Sequence, residues 1–223
     1  MRKSVIVWAW VGLVAVAGCR EAVSRGDAGQ TIAQRELAAL LEREWEWRLR
    51  ESPQMATAVG EHRYDDQLSR ESIADEERRA ADTREFLDAL GGVHRDALPA
   101  ADRVTIDMLR AELEDRLAAF RFREYLVPIN ADSGFHSSFA LLPQATRFAD
   151  ARDYDNYIAR LRAFPRYVDE HIVRMREGLK AGITVPKVAL AGVDTAIGPL
   201  MPADPTASPL FAPFRTLPST LGE

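Results

Sequence analysis

Residues 153–186 read DYDNYIARLRAFPRYVDEHIVRMREGLKAGITVP, and their apolar side chains recur at threes and fours. Tyr154, Tyr157, Ile158 and Leu161 precede Pro165, and Val168, Ile172, Met175 and Leu179 follow it. A turn of 3.6 residues puts such positions on one face, so the stretch is predicted to be helical with one side buried. Proline has no amide hydrogen to give to a helix interior. Pro165 is therefore expected to open a second helix as its first residue, making a broken pair rather than one rod. Lys180 and Gly182 supply end signals.

The same period recurs upstream. From about Ile32, the residues Leu37, Leu40, Leu41, Trp45 and Leu49 form a stripe, with Glu36, Arg43 and Arg50 on the wet side until Pro53 ends the helix. Trp45 and Trp47 lie about 200° apart around that helix, so one is expected in the core and the other facing solvent. A second helix is predicted from Ser69, as N-cap, to Leu90, closed by Gly91 and Gly92. A third runs from about Ala100 to Tyr125, with Ile106, Leu109, Leu113, Leu117 and Phe120 on one side and Pro128 beyond it. Val185 to Ile197 is a last short candidate. No stretch alternates at period two for long enough to demand a sheet, so the fold class is all-α, an irregular multi-helix domain over residues 31–198.

Half of the chain's 12 prolines fall between Pro199 and Pro218, which excludes an α-helix there. The same segment carries Leu200, Leu210, Phe211, Phe214, Leu217 and Leu221, too apolar for an ordinary solvated terminus. Residues 199–223 are accordingly expected to be a proline-rich connector, apparently truncated, whose apolar side chains lie against further protein.

At the other end, Met1-Arg2-Lys3-Ser4 is a short positive segment, and Val5 to Ala17 is an uncharged, mostly apolar run. That is the pattern of an export signal, and Arg20 and Glu21 follow too soon for a spanning helix of about 20 apolar residues. Residues 20–30, REAVSRGDAGQ, are small and polar and read as a flexible tether. The composition agrees with an exported body. There is one cysteine, so no intramolecular disulfide, and the 34 acidic residues outnumber the 29 basic ones, an imbalance that loss of Arg2 and Lys3 with the leader would deepen. No clustered basic face courts nucleic acid.

The one cysteine closes the stretch Val16-Ala17-Gly18-Cys19, which resembles a bacterial lipobox. The resemblance implies a signal peptide over residues 1–18, acylation of the Cys19 sulfur, a new amino terminus at Cys19, and a tether over 19–30. Multiple acyl chains would anchor the protein stably to a membrane. Val16 departs from the commoner leucine; a plain secretory signal is the alternative. Arg20, and not an aspartate, follows the cysteine, which by resemblance to lipoprotein sorting rules favours the outer membrane, facing the periplasm, in a Gram-negative host.

The stretches SPQMATAVGEHRYDDQLSR (52–70), FREYLVPINADSGFHSSFALLP (122–143) and residues 153–186, followed by SPLFAPFRTLP, resemble the amino-terminal part of the bacterial domain of unknown function 885 family. Members of that family are commonly exported, mostly helical lipoproteins that look like distant relatives of zinc metallopeptidases. The resemblance implies that this chain is an incomplete portion of a larger helical fold, with a carboxyl-terminal half, a peptide substrate and zinc expected only for the full-length protein. The family's signature is a His-Glu pair followed by Pro-Gly-His-His in that carboxyl-terminal half. The four histidines here, His62, His94, His136 and His171, form neither that signature nor an H-E-x-x-H, so no catalytic residue or metal ligand is carried over.

Local candidates remain. In GEHRYDD, His62 and Asp66 are four apart and could share a helical face as metal ligands, but Gly60 favours a surface loop. In DSGFHSSF, His136 and Ser137 are candidates for lining a cleft, as are Tyr64 and His62, against the reading of polar loops covering a core. His171 is expected to flank the packed edge of its helix with a hydrogen bond. Two functional readings follow: the amino-terminal scaffold of a lipid-anchored, metallopeptidase-like protein, inactive alone, or a non-catalytic helical envelope lipoprotein that binds a partner.

Overall fold

A computed structural model describes residues 29–130 and 133–218. Cys19 and the stretches expected to be a leader and a tether, all before Gly29, lie outside the described residues.

The first long helix, α1 (Ile32–Glu51), begins where the apolar spacing begins. Its start is held by a reciprocal cap: the Gln34 amide donates to Thr31 Oγ1 at 3.2 Å, and the Thr31 amide donates to Gln34 Oε1 at 3.1 Å. Pro53 then opens the short α2 (Pro53–Ala58). Helix α3 (Ile73–Gly92) is capped by Ser72, three residues beyond the expected Ser69. Ser69 is engaged elsewhere, since its carbonyl accepts from Arg166 and its amide donates to Gln54 Oε1. Gly91 and Gly92 form the last turn of α3 and do not follow it. Helix α4 (Ala100–Arg121) stops short of the expected Tyr125, because Arg123 turns left-handed at φ 57° and a 3-10 turn follows at Glu124–Leu126.

Two brief helices without a periodic signature, α5 (Phe135–Ala140) and α6 (Leu142–Ala145), lead to α7 (Ala151–Ala181). Helix α7 runs unbroken through Pro165, correcting the expected break. Proline's fixed φ is itself helical, Pro165 is exposed, and side chains on both sides of it bind the same partner segment. The chain finishes in α8 (Val193–Ile197) and 3-10 turns, the last at Pro209–Phe214. Among the described residues there is no strand, and an isolated bridge joins Ile129 to Gly134. The protein is all-α.

Two cores organise these helices. The first joins α1, α3 and α4 through Leu37, Leu40, Leu90, Ile106, Leu109 and Leu113. Trp47, and not the Trp45 of the expected stripe, supplies the buried tryptophan, and Trp45 is 42% exposed. The second gathers Leu68, Phe139, Leu142, Tyr157 and Tyr167 around α7, with Phe139 stacked on Phe164. Leu210 and Phe214 pack against this second core, and the Tyr157 hydroxyl donates to the Leu210 carbonyl at 2.8 Å. The proline-rich segment thus docks on this domain's own helix. Of the apolar side chains expected to lie against further protein, Leu210 and Phe214 pack on this core, Leu217 is 54% exposed, and Leu221 lies outside the described residues.

Candidate functional site

The buried face of α7 keeps Tyr154 and Tyr157 of the apolar stripe its sequence displays and adds charged groups to them. It comprises Tyr154, Tyr157, Arg160, Tyr167, His171, Arg174 and Gly178, whereas Leu179 of the expected stripe is exposed. Charged groups in that position need partners, because an unpaired ion away from water is costly.

Arg160 finds its partners in the segment around α2. Nε donates to the Gln67 carbonyl at 2.8 Å, and Nη2 donates to Thr57 Oγ1 at 2.6 Å, with the Pro53 and Tyr64 carbonyls at 3.2 Å. Thr57 passes its own hydroxyl hydrogen to Asp65 Oδ1, and Asp65 Oδ2 stands 2.8 Å from His62 Nδ1. Burial pulls the Arg160 guanidinium below the usual arginine range, against the opposing pull of Asp65 and Asp66.

About four turns onward along the helix, Arg174 Nη2 stands 2.7 Å from Glu71 Oε2 and 2.6 Å from Glu76 Oε1. These are ion pairs by distance, without hydrogen-bond alignment. Arg79 on α3 also reaches Glu76, at 2.9 Å. Arg166, between them, donates to the Leu68 and Ser69 carbonyls and to Glu170. Arg160, Arg166 and Arg174 of α7 therefore clamp residues 53–76, which run from α2 through the connection into the first turn of α3.

His171 corrects the expectation of a hydrogen-bonded flanking residue. It is buried, stacked on Phe135 at 4.3 Å between ring centroids, and neither ring nitrogen has a hydrogen-bond partner. Burial, with Arg174 nearby, lowers its pKa to about 4, so it is neutral at pH 7. Desolvation conversely raises Tyr167 to about 12.

The other sequence candidates fall in separate places. His62 lies in a loop, paired with Asp65 and not with Asp66, and lines a cavity of about 440 Å³ with Arg63, Arg147 and Asp153. Tyr64 sits under the Arg63 guanidinium and lends its carbonyl to Arg160. His136 is buried against Phe135 with Nδ1 unpartnered. Its ring lies so close to Gly134 that a Cβ there would meet it at 2.8 Å. Ser137 closes the first turn of α5, accepting from the Gly134 amide and donating to the Gly134 carbonyl. The structure does not bring these four into one cleft.

Two cavities flank the clamp. One of about 420 Å³ lies among α1, α3 and α4, where Arg48, Arg79 and Arg116 face Glu51, Glu71 and Glu76. The other, about 280 Å³, has Arg160 in its wall. Arginine retains its proton, so these groups suit binding anions and bracing backbone rather than moving protons.

A family model described as a bacterial protein of unknown function (DUF885) matches residues 53–223. The chain belongs to the DUF885 family. Neither a curated protein nor a solved structure matches it. The match begins at the first residue of α2 and takes in the whole clamped segment and α7, so the arginine clamp lies entirely within the DUF885 region. Among the described residues no group of three or more His, Cys, Asp or Glu could hold a metal ion. His62 is paired with Asp65, whereas His136 and His171 lie against Phe135, so these three histidines are not gathered into one zinc site.

Proposed function

We propose that this DUF885 chain is the helical scaffold of an exported, lipid-anchored protein, forming binding walls and leaving any peptidase chemistry of such proteins to residues outside those described. The observation that carries the reading is how the buried charges are used. Glu44, Asp65, Arg160 and Arg174 each tie one helix to another or to the 53–76 connection. Groups locked in this way brace a framework, and a reacting group needs a free, correctly protonated atom within reach of substrate.

The anchoring half of the reading is supported by Arg2 and Lys3, the apolar run Val5–Ala17 and the small residues before Cys19. It is tested by expressing the chain with its own leader in a Gram-negative host and following wild type and Cys19→Ala through membrane fractionation and intact mass. The expected wild-type product begins at Cys19, carries acyl chains and sediments with outer membranes, while Cys19→Ala is unprocessed or soluble. A wild-type product with an unmodified Cys19 would end this part of the proposal.

A further inference from the structure

Arg160 is fully buried, yet one of its guanidinium nitrogens, Nη1, has no hydrogen-bond partner while Nε and Nη2 are fully engaged. A group that cannot shed its proton cannot escape this cost by becoming neutral, so an orphan donor here calls for a partner. The nearest countercharge, Asp65, stands 3.7 Å from Nη2, on the side already occupied by Thr57.

Arg160 also lines the 280 Å³ cavity. Ser52, Ser69, Ser138 and Gln54 also line it, and much of the remaining wall is Phe139, Leu142 and Tyr167. Ser138, Leu141 and Ala145, which also line it, are exposed, so the cavity opens toward solvent on the side of α5 and α6.

We propose that this cavity binds a small carboxylate bearing an aliphatic group, the size of one amino-acid residue with a free carboxyl terminus. One carboxylate oxygen can accept from Nη1 and the other from an adjacent serine hydroxyl, each a charge-assisted hydrogen bond. The aliphatic part suits the Phe139, Leu142 and Tyr167 wall. The volume lies just below the range of about 300–1,000 Å³ typical of small-molecule clefts, which favours a single residue over an enclosed peptide. Nη1 is buried, so entry requires one lining group to turn aside. Gln54 is the group expected to give way, because its bonds to Ser69 are long, 3.5 and 3.3 Å. The inference is independent of lipid anchoring and of any peptidase relationship.

The test is calorimetric titration of the purified full chain in detergent with N-acetyl-L-leucine, with N-acetyl-L-leucinamide as the uncharged control. The expected result is saturable one-to-one binding of the acid, weakened about tenfold or more for the amide. Because Arg160 variants risk unfolding, the blocking variant is Ala145→Trp, at an exposed position of the lining. It should abolish binding while far-UV circular dichroism and the melting temperature match wild type. Absence of saturable binding, equal affinity for acid and amide, or binding undisturbed by Ala145→Trp would each overturn the proposal.

Discussion

Arg116 Nη1 on α4 donates to Glu44 Oε1 on α1 at 2.8 Å, with Glu44 only 3% exposed. Arg48 reaches the same carboxylate oxygen at 2.8 Å, and Glu112 closes the group by meeting both arginines. Removing a buried partner leaves uncompensated charge, which typically costs about 3–5 kcal/mol. Here the two arginines keep Glu112 and some solvent, so Glu44→Ala should lower stability by about 2 kcal/mol, with Glu44→Gln losing less. Urea unfolding followed by far-UV circular dichroism measures this, and an unchanged midpoint for Glu44→Ala would refute it.

A second expectation concerns acid. An unfolded histidine titrates near 6.5, while His171 in the fold holds off its proton until about 4. Below pH 6.5 the unfolded chain therefore gains a proton that the folded chain refuses. Stability from this group is complete above about pH 6.5, declines as the pH falls toward 4, and declines no further below that. Because the site relaxes and admits water around a charged imidazole, the loss between pH 6.5 and 4.5 should be about 1–2 kcal/mol. Carboxylates such as Asp107, which the hydrogen-bonded Arg95 holds below the usual range, lose their contribution only at lower pH. Urea midpoints at pH 7.5, 5.5 and 4.5 should show this slope in wild type, and His171→Phe should flatten it; equal slopes would contradict the assignment.

Gly178 gives a third. It lies inside α7, where alanine ordinarily gains up to about 1 kcal/mol over glycine. A Cβ at Gly178 would meet the Ile183 carbonyl oxygen at 2.7 Å and the Leu126 carbonyl oxygen at 3.0 Å, both backbone atoms. Backbone cannot swing away as a side chain can, so Gly178→Ala should destabilise the protein by about 1–3 kcal/mol. The neighbouring exposed position Lys180→Ala serves as the control, and thermal melts of the two variants decide the matter.

How much of this was legible in the sequence depended on what each helix buries. Helices α1 and α4 bury Leu37, Leu40, Ile106, Leu109 and Leu113, so their spacing announced them. Helix α7 was equally visible as a helix, but its buried line includes Arg160, His171 and Arg174. Periodicity in hydropathy assigns such residues to solvent. A signal was available in their positions, since residues 160, 167, 171, 174 and 178 keep helical spacing with Tyr157. What hydropathy could not convey is that their partners are carbonyls and carboxylates about 100 residues earlier in the chain. Helices α5 and α6 are too short to express a period at all. The docking of the proline-rich segment rests on Leu210 and Phe214, whose apolar character was plain while the surface that covers them was not.

Metal analysis most directly tests the proposal that these residues brace and bind without supplying metal-dependent chemistry. The purified full chain, incubated with equimolar zinc and passed over a desalting column, would be assayed by atomic emission for bound metal alongside cleavage of a mixed peptide library. The account predicts zinc well below one equivalent and no cleavage above buffer. One zinc retained per chain, together with peptide cleavage that a chelator abolishes, would contradict it.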